Sequence, residues 1–338
     1  MPGPSKPRLL VLAPDALFRS FFDRARRRRL DQKYRWSRSR VGVLDERIRE
    51  ALAEAEGLIT TWDTPRIGAE LLSRAPRLRV IGHCGGEVKG RFETALFAPL
   101  TITNAAGPMA RYAAELAVTF LLYGARNVDA HRESLRRPSN RVYARIHRDG
   151  LGEETVLGRT VGLVGFGRIG RAIAAILRPL GARLLVYDPY VERALIRREG
   201  GVPATRAEIL RSSHHMILAA ALTDETRGFL DARALARLRR GATVVNVARG
   251  ALLDLGALTR EVRRGRLRCA LDVTDPEPLP RRHPLRRMRG AILTPHVAAG
   301  HREVRAAIAD TVLDDLERFF RGRRVRNRVT GPMLERMT

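Results

Sequence analysis

Three polar residues stand in or directly after apolar runs in the second half of the chain: Arg249 in VNVARGALLD, Glu277 in ALDVTDPEPLP and His296 in LTPHVAAG. Each run has the composition of a short buried strand, and open parallel sheets bind ligands at the carboxyl ends of their strands. A guanidinium binds anions, and an imidazole transfers protons near neutral pH. Taken singly, each residue also has a structural explanation: a solvated arginine, a charge in a proline-rich turn, a histidine in a capped loop.

A glycine-rich turn precedes these residues, in VGLVGFGRIGRAIAAIL. It contains G-x-G-x-x-G as Gly165, Gly167 and Gly170, between an apolar strand and a helix, and Asp188 ends the next strand. The glycines permit a tight turn and a close approach of the backbone to a pyrophosphate, whose charge the helix N–H groups receive. Asp188 suits the ribose hydroxyls and would repel a 2′-phosphate, which favours NAD over NADP. The context predicts a dinucleotide site.

The elements that must position these residues alternate between strand and helix. In the first third, RLLVLAP, GLITTWD, LRVIGHCG and LTITNAAG are typical of strands, and ALFRSFFDRARRRRL and ERIREALAEAE are typical of helices. RYAAELAVTFLLYGARNVDAHRESLRR predicts one long helix, followed by a looser polar stretch. From Thr160 onward, six strands alternate with helices, and REVRAAIADTVLDDLERFFRG forms a last helix. We therefore expect an α/β protein with two doubly wound parallel-sheet domains.

The composition fits a globular protein without a membrane span: 338 residues, 44% hydrophobic and 29% charged. Two cysteines give neither a disulfide framework nor a metal spacing, which favours the cytoplasm and predicts no metal. The net charge of +27 comes almost entirely from arginine. The runs RARRRRL and RGRRVRNR could bind polyanions, but no aromatic residues are interleaved with them, so we expect at most nonspecific electrostatic binding of nucleic acid.

The ordered motifs resemble the D-isomer-specific 2-hydroxyacid dehydrogenase family, which includes phosphoglycerate dehydrogenase and glyoxylate/hydroxypyruvate reductase. The resemblance covers nearly the whole chain and is strongest from Leu157 to Gly300. It implies a Rossmann NAD-binding domain over residues 125–302. It also implies a discontinuous, flavodoxin-like substrate domain over 1–124 and 303–338, and a homodimer formed through the cofactor domain. The small-molecule partner would be a 2-oxo or 2-hydroxy acid.

The resemblance assigns catalysis to Arg249, Glu277 and His296. Arg249 would bind the carboxylate of a 2-oxo acid, or bridge it and the carbonyl oxygen. His296 would deliver a proton to that oxygen, and Glu277 would orient the imidazole and favour its charged form. The expected cofactor contacts are Gly165, Gly167, Arg168, Ile169, Gly170, Asp188, Val247, Ala248, Arg249 and the nicotinamide-side Asp272. The expected substrate contacts are Arg249 and the loop HCGGEVKG, through Gly85, Gly86 and Lys89.

Some positions depart from the family pattern. Ala219 and Ala221 stand where relatives often have a histidine and a proline that line the cofactor. His214 and His215 occupy positions that are usually acidic and apolar, and Thr274 replaces a common aromatic residue. The segment AAGPMARYAAE is also a variant, and Glu115 within it matches a family acid that we interpret as structural.

Two alternative functions remain open at this point. One is a formate-dehydrogenase-type enzyme on the same fold. The other is a protein that keeps the fold and the NAD site but acts as a corepressor or nucleic-acid partner. The intact set of Arg249, Glu277 and His296 argues against the second alternative.

Overall fold

The computed structural model describes residues 5–40, 46–136, 139–152 and 155–337, which form two compact units. Unit 1 holds Met1–Met109 and Gly300–Thr338, and unit 2 holds Ala110–Ala299. The first boundary between the two units lies between Met109 and Ala110, earlier in the chain than the predicted boundary after residue 124. The reason is that Ala114, Ala117 and Leu121 pack into the core of unit 2, so most of their helix belongs there.

Unit 1 is built on a six-stranded sheet that is parallel except at one edge. Its strands are β1 Arg8–Leu12, β2 Arg35–Ser39, β3 Gly57–Thr60, β4 Val80–His83, β5 Thr101–Asn104 and β13 Arg328–Val329. Their order is β13-β5-β4-β3-β1-β2, and β13 runs antiparallel to β5. Its helices are α1 Asp15–Phe21, α2 Arg24–Lys33, α3 Glu46–Glu54, α4 Leu71–Arg74 and α13 Arg302–Phe320.

The last helix, α13, packs on the middle of this sheet. A side chain at Gly82 in β4 would collide with Val312, and one at Gly57, at the start of β3, would meet Phe320. Later residues of α13 therefore lie toward the beginnings of the strands. Its first turn consequently lies toward their carboxyl ends, the edge where open α/β sheets bind ligands.

Unit 2 is built on a seven-stranded, fully parallel sheet. Its strands are β6 Thr160–Val164, β7 Arg183–Tyr187, β8 Val202–Pro203, β9 His215–Leu218, β10 Thr243–Asn246, β11 Arg268–Leu271 and β12 Ala291–Leu293. The order β12-β11-β10-β9-β6-β7-β8 reverses direction between β6 and β9. In a doubly wound sheet that reversal marks the ligand-binding crevice.

Helices cover both faces of this sheet, which explains why its strands are apolar throughout. The helices that follow β6 are α8 Arg168–Leu177, α9 Arg193–Arg198, α10 Arg206–Ser212, α11 Ala232–Arg237 and α12 Leu255–Arg263. Three helices precede β6: α5 Ala106–Ala125, which starts in unit 1, then α6 Val128–Arg136 and α7 Asn140–Asp149.

Three local predictions were wrong. The single long helix is divided into α5 and α6 at Asn127, whose φ of 51° ends a helix and is tolerated by asparagine. (Arg137, the predicted end of that helix, lies outside the described residues.) The polar stretch after it contains α7, which begins at the Ser139 cap. The helix predicted over ALFRSFFDRARRRRL is also two helices, because Asp23 caps α2 by accepting a hydrogen bond from the Arg26 N–H.

Candidate active site

The glycine-rich turn joins β6 to α8 at the point where the strand order reverses. Gly165 has φ of 93°, and a side chain there would lie 2.5 Å from the backbone of Ala220. A side chain at Gly170 would lie 2.2 Å from the carbonyl oxygen of Gly165. The protein itself therefore requires both glycines.

Gly167 differs from the other two glycines. Its φ of −72° suits any residue, and an added side chain would meet nothing within 4 Å. The protein leaves open space in front of this backbone, beside the first N–H groups of α8. A pyrophosphate fits such a cradle, which a side chain at Gly167 would fill.

Asp188 follows β7 and is tied to this turn. Its Oδ2 accepts a hydrogen bond from the Phe166 N–H at 2.7 Å, and its Oδ1 accepts one from the Tyr190 N–H at 2.9 Å. The carboxylate thus fixes the centre of the glycine-rich turn. Because each carboxylate oxygen has a second lone pair, these bonds leave acceptor capacity for ribose hydroxyls.

The two unusual histidines lie at the beginning of β9, away from the carboxyl edge: His214 directly precedes the strand and His215 is its first residue. His214 Nδ1 accepts a hydrogen bond from the Thr160 N–H, and His215 Nδ1 accepts one from the Thr243 N–H. Burial lowers the pKa of His215 to about 4, with smaller contributions from neighbouring cations. Both histidines accept hydrogen bonds from the first residues of neighbouring strands, so these departures from the family pattern lie away from the site.

Arg249 follows β10 on a turn that Asn246 organises. The fully buried Asn246 side chain accepts from the Ala248 N–H at 3.0 Å and donates to the Arg249 carbonyl at 2.8 Å. The Arg249 guanidinium is half-buried and donates through Nη1 to the Ala248 carbonyl at 2.8 Å. Val247 and Ala248 are each only 6% exposed. Asn246 therefore holds Arg249 at the strand end, unlike an arginine on a helix surface.

Gly250 brings this turn against the segment after β11. A side chain at Gly250 would lie 2.1 Å from the carbonyl carbon of Thr274 and 2.5 Å from the Asp275 nitrogen. The Thr274 hydroxyl, which replaces the common aromatic residue, donates to the Pro276 carbonyl at 2.8 Å. The Arg249 turn is thereby packed on the segment that carries Glu277.

Glu277 and His296 are hydrogen-bonded to each other. The distance from Glu277 Oε1 to His296 Nδ1 is 2.7 Å, and both side chains are about half exposed, at 42% and 50%. His296 has φ of 53°, a left-handed conformation that needs external support in a non-glycine residue. A carboxylate on Nδ1 leaves Nε2 to face a reacting group, as proton transfer requires.

Asp272 supplies that support. Its side chain is 1% exposed, and its oxygens accept from the Thr294 hydroxyl and from the N–H groups of Val297 and Ala298, all at 2.5 to 2.9 Å. Its carbonyl also accepts from the His296 N–H at 2.8 Å. Asp272 was predicted as a nicotinamide-side contact. In the structure its hydrogen bonds fix the loop that carries His296.

No role was predicted from the sequence for Gly250 or Thr294. The signal for Gly250 was its place directly after Arg249, and that for Thr294 was a hydroxyl two residues before the histidine. Gly250 contacts the segment after β11 at Thr274, and the Thr294 hydroxyl donates to Asp272. Because these partners are more than twenty residues away in the sequence, the sequence alone could not reveal the contacts. Arg249, Glu277 and His296 follow β10, β11 and β12, which are neighbours in the sheet, so the structure brings them to one edge.

The predicted substrate loop after β4 lies in unit 1. The Gly85 N–H donates to the His83 carbonyl, and the Gly86 carbonyl accepts from the Asn104 side chain. Of the two predicted N–H donors, Gly85 is therefore already engaged within the loop, whereas the Gly86 N–H takes no part in these bonds. Lys89 and Glu115 are exposed. No cluster of metal-ligating side chains occurs within the described ranges.

Comparisons with known proteins agree with this geometry. Residues 118–298 match the family model described as the NAD-binding domain of D-isomer specific 2-hydroxyacid dehydrogenases. The chain is 32% identical over 273 residues to a glyoxylate reductase of Aeropyrum pernix, covering 80% of this chain and 81% of that one. It is 29% identical over 295 residues to a D-3-phosphoglycerate dehydrogenase of Methanocaldococcus jannaschii, covering 86% of this chain but 55% of that relative.

Solved structures share the fold over nearly the full length. The TT0316 protein of Thermus thermophilus superposes with a TM-score of 0.74 at 29% identity, covering 96% of this chain and all of that one. The PH0520 protein of Pyrococcus horikoshii gives a TM-score of 0.79 at 26% identity, covering 98% and 97%. None of the helices in the described residues has the length and apolarity needed to span a membrane.

Proposed function

Because this chain belongs to the D-isomer-specific 2-hydroxyacid dehydrogenase family, whose members transfer a hydride between NAD(H) and a 2-oxo or D-2-hydroxy acid, we propose that it works chiefly as a 2-oxo acid reductase. The cofactor, when bound, supplies the hydride. The chain's own residues bind and orient the substrate and deliver the proton. The glyoxylate reductases among the relatives make glyoxylate the first substrate to test. Neither the formate-type nor the corepressor alternative gains support from the relatives.

Arg249, His296 and Glu277 each have a role in this proposal. Arg249 binds the substrate carboxylate, and its planar fork aligns the carbonyl carbon. His296, protonated at Nε2, donates that proton to the carbonyl oxygen as negative charge develops there. Glu277 holds the imidazole through Nδ1. In unit 1, Gly86 and Lys89 are proposed as further contacts of the substrate carboxylate.

The observation that carries the proposal is the 2.7 Å hydrogen bond from Glu277 to His296, on a loop fixed by the buried Asp272. To test it, NADH oxidation would be followed with glyoxylate, hydroxypyruvate, pyruvate and bulkier 2-oxo acids. We expect turnover with at least one of the small acids. A purified, folded protein that binds NADH but oxidises it with none of them would contradict the proposal.

We also propose that Asp188 makes NADH the better hydride donor. Its carboxylate is held beside the glycine-rich turn, where it would repel a 2′-phosphate. Asp188→Ser should raise the ratio of NADPH to NADH in kcat/KM. A wild-type enzyme that already prefers NADPH would refute this role. The nearby Arg193 and Arg197 are the residues to replace next in that case.

A homodimer formed through unit 2 is part of the proposal. Helices α6 and α7 bury none of their residues, and their apolar side chains include Leu135, 68% exposed, and Tyr143, 58% exposed. Apolar surface of this kind is typical of protein–protein contacts. Leu135→Glu with Tyr143→Glu should convert a dimer to a monomer in sedimentation experiments. A wild-type protein that sediments as a monomer would overturn this part.

Two further expectations complete the proposal. We place the enzyme in the cytoplasm, which the buried free thiols of Cys84 and Cys269 support. Exposed arginines of α2, at positions 24, 27 and 28, give at most nonspecific affinity for nucleic acid. Binding to duplex DNA should therefore collapse between low and physiological salt and show no sequence preference.

A further inference from the structure

Arg305, in the first turn of α13, differs from the other arginines packed around that helix. Arg26 pairs with Asp310, and Arg29 pairs with Asp314 and Glu317, so their charges are neutralised. Arg305 is half-buried, its Nε is buried without a hydrogen-bond partner, and no carboxylate in the described part of the chain pairs with it. Because no carboxylate in these residues neutralises the Arg305 guanidinium, its charge is available to an anionic ligand.

The Arg305 guanidinium lies over the ring of Trp62, with 5.3 Å from Cζ to the ring centroid. Trp62 is itself held edge-to-face by Phe21, at 5.0 Å between the ring centroids. A cation stacked on an aromatic ring is fixed in direction and keeps its charge available to an anion. The pair is therefore a rigid cationic platform.

This platform lies beside the predicted substrate loop within unit 1. A side chain at Gly85 would be 3.0 Å from Trp62 Cδ1 and 2.5 Å from His83 Nε2, so Gly85 packs between these two rings. Trp62 follows β3, the loop follows β4, and the first turn of α13 lies at the same carboxyl edge. Ligands of open α/β sheets bind at this edge.

We propose that Arg305 and Trp62 form a subsite for a second anionic group, so that the preferred substrates are 2-oxo acids whose side chain carries a carboxylate or a phosphate. This inference rests on the proposed function, in which the loop after β4 binds the substrate. Arg305 takes no part in proton or hydride transfer. It distinguishes charged from uncharged side chains.

The kinetic test compares kcat/KM for substrates of similar length. 2-Oxoglutarate and 3-phosphohydroxypyruvate carry the second anionic group, and 2-oxohexanoate does not. In the wild type we expect at least one charged substrate to exceed 2-oxohexanoate by about tenfold or more, as a charge-assisted hydrogen bond would give. Comparing the two charged substrates identifies the preferred group. Arg305→Gln should abolish the preference, and Arg305→Lys should keep part of it.

Arg302→Gln is the matched control, because Arg302 lies on the same helix and is exposed. That variant should keep the preference of the wild type. A wild-type enzyme without preference for a charged side chain, or a preference that survives Arg305→Gln, overturns the inference.

A binding measurement separates this inference from the proposed function. The chain has two tryptophans, Trp36 and Trp62, so Trp36→Phe leaves Trp62 as the single reporter. Titration with 2-oxoglutarate or 3-phosphohydroxypyruvate should change its fluorescence, and Arg305→Gln should weaken that response by about tenfold or more. A response that depends on Arg305 in a protein without reductase activity would refute the proposed function and support the subsite. Turnover without any such response would support the proposed function and refute the subsite.

Discussion

His83 and His296 both lie at the carboxyl end of a parallel strand, one in each unit, and their surroundings are opposite. His83 ends β4, is 1% exposed and has the Thr60 hydroxyl 2.9 Å from its Nδ1. Burial, with a smaller effect of the Arg91 charge, lowers the pKa of His83 to about 3. His296 is half exposed and has the Glu277 carboxylate at 2.7 Å. A histidine at this position in a sheet can therefore be a neutral core residue or an exposed partner of a carboxylate, and its neighbours decide which.

A third histidine also has a carboxylate partner. His301 Nδ1 lies 2.8 Å from Glu303 Oε2, and its side chain is 44% exposed, much like His296. Yet His301 is the N-cap of α13 and Glu303 lies in the first turn of that helix, so this pair does not follow a strand. The proton transfer that we propose for His296 requires the strand end, the carboxylate and the supported loop together. His301 and Glu303 are consequently matched controls for His296 and Glu277.

The largest expected effect is the loss of the proton donor. His296→Gln should lower kcat for 2-oxo acid reduction by roughly a thousandfold, within the range that general acids contribute. NADH binding, followed by fluorescence, should persist, because the glycine-rich turn is unchanged. His301→Gln should keep the kcat of the wild type. Equal losses in both variants would show that the strand-end position of His296 confers nothing special.

Removal of Arg249 is expected to have the next largest effect. Arg249→Ala should reduce kcat/KM by about a hundredfold or more, on the order of 3 kcal/mol, because the substrate carboxylate loses a charged partner and its alignment. Arg249→Lys should recover only part of this, since a point charge cannot hold two oxygens in one plane. Arg237→Ala, an exposed arginine on α11, should change kcat/KM hardly at all. Activity of Arg249→Ala within a few-fold of the wild type would contradict the role.

The burial of His83 predicts a third effect, on the pH dependence of stability. Because the folded pKa of His83 is about 3 and the ordinary value is 6.5, the unfolded chain binds a proton first as pH falls. The stabilisation is complete above pH 6.5 and is lost progressively toward pH 3, by about 2 kcal/mol at pH 5. His83→Gln should therefore lose less stability between pH 7 and pH 5 than the wild type, by about that amount.

Urea unfolding followed by tryptophan fluorescence measures this effect, since Trp36 and Trp62 both lie in unit 1 with His83. His83→Asn is a second variant should glutamine fit poorly beside Phe92. Identical pH dependence in wild type and both variants would mean that His83 is not buried in its neutral form.

Burial also determined which elements could be predicted from the sequence. The strands of unit 2 were predictable because they are buried on both faces, which makes them continuous apolar runs. The edge strand β2, with the sequence RWSRS, was missed because it alternates between exposed and partly buried positions. The very short β8 and β13 were missed as well. The helix division at Asn127 depended on one backbone angle, which hydrophobic periodicity does not report.

For the site, the residue types predicted a chemistry, but they did not predict which residues hold the loops of the site in place. Gly165, Gly170 and Asp188 carry a recognisable spacing, and the structure gives each a physical reason. Asp272 shows the limit: its oxygens accept from residues 294, 297 and 298, more than twenty positions later. Which loop a buried acid supports depends on strand order, and strand order is a property of the folded sheet.

The smallest expected effect comes from removal of the Glu277 charge. Glu277→Gln keeps a hydrogen-bond acceptor for His296 Nδ1 but removes the negative charge that favours the protonated imidazole. Because reduction needs that proton, the alkaline limb of the pH profile of kcat/KM should move to lower pH, with a loss of roughly tenfold on the alkaline side and little change at acidic pH. Glu303→Gln removes the same charge from His301 and should leave the profile in place. A profile unchanged by Glu277→Gln, or shifted equally by both variants, would contradict the role of Glu277. Glu277 would then be only a charge in its proline-rich turn, and exposure alone would distinguish His296 from His83.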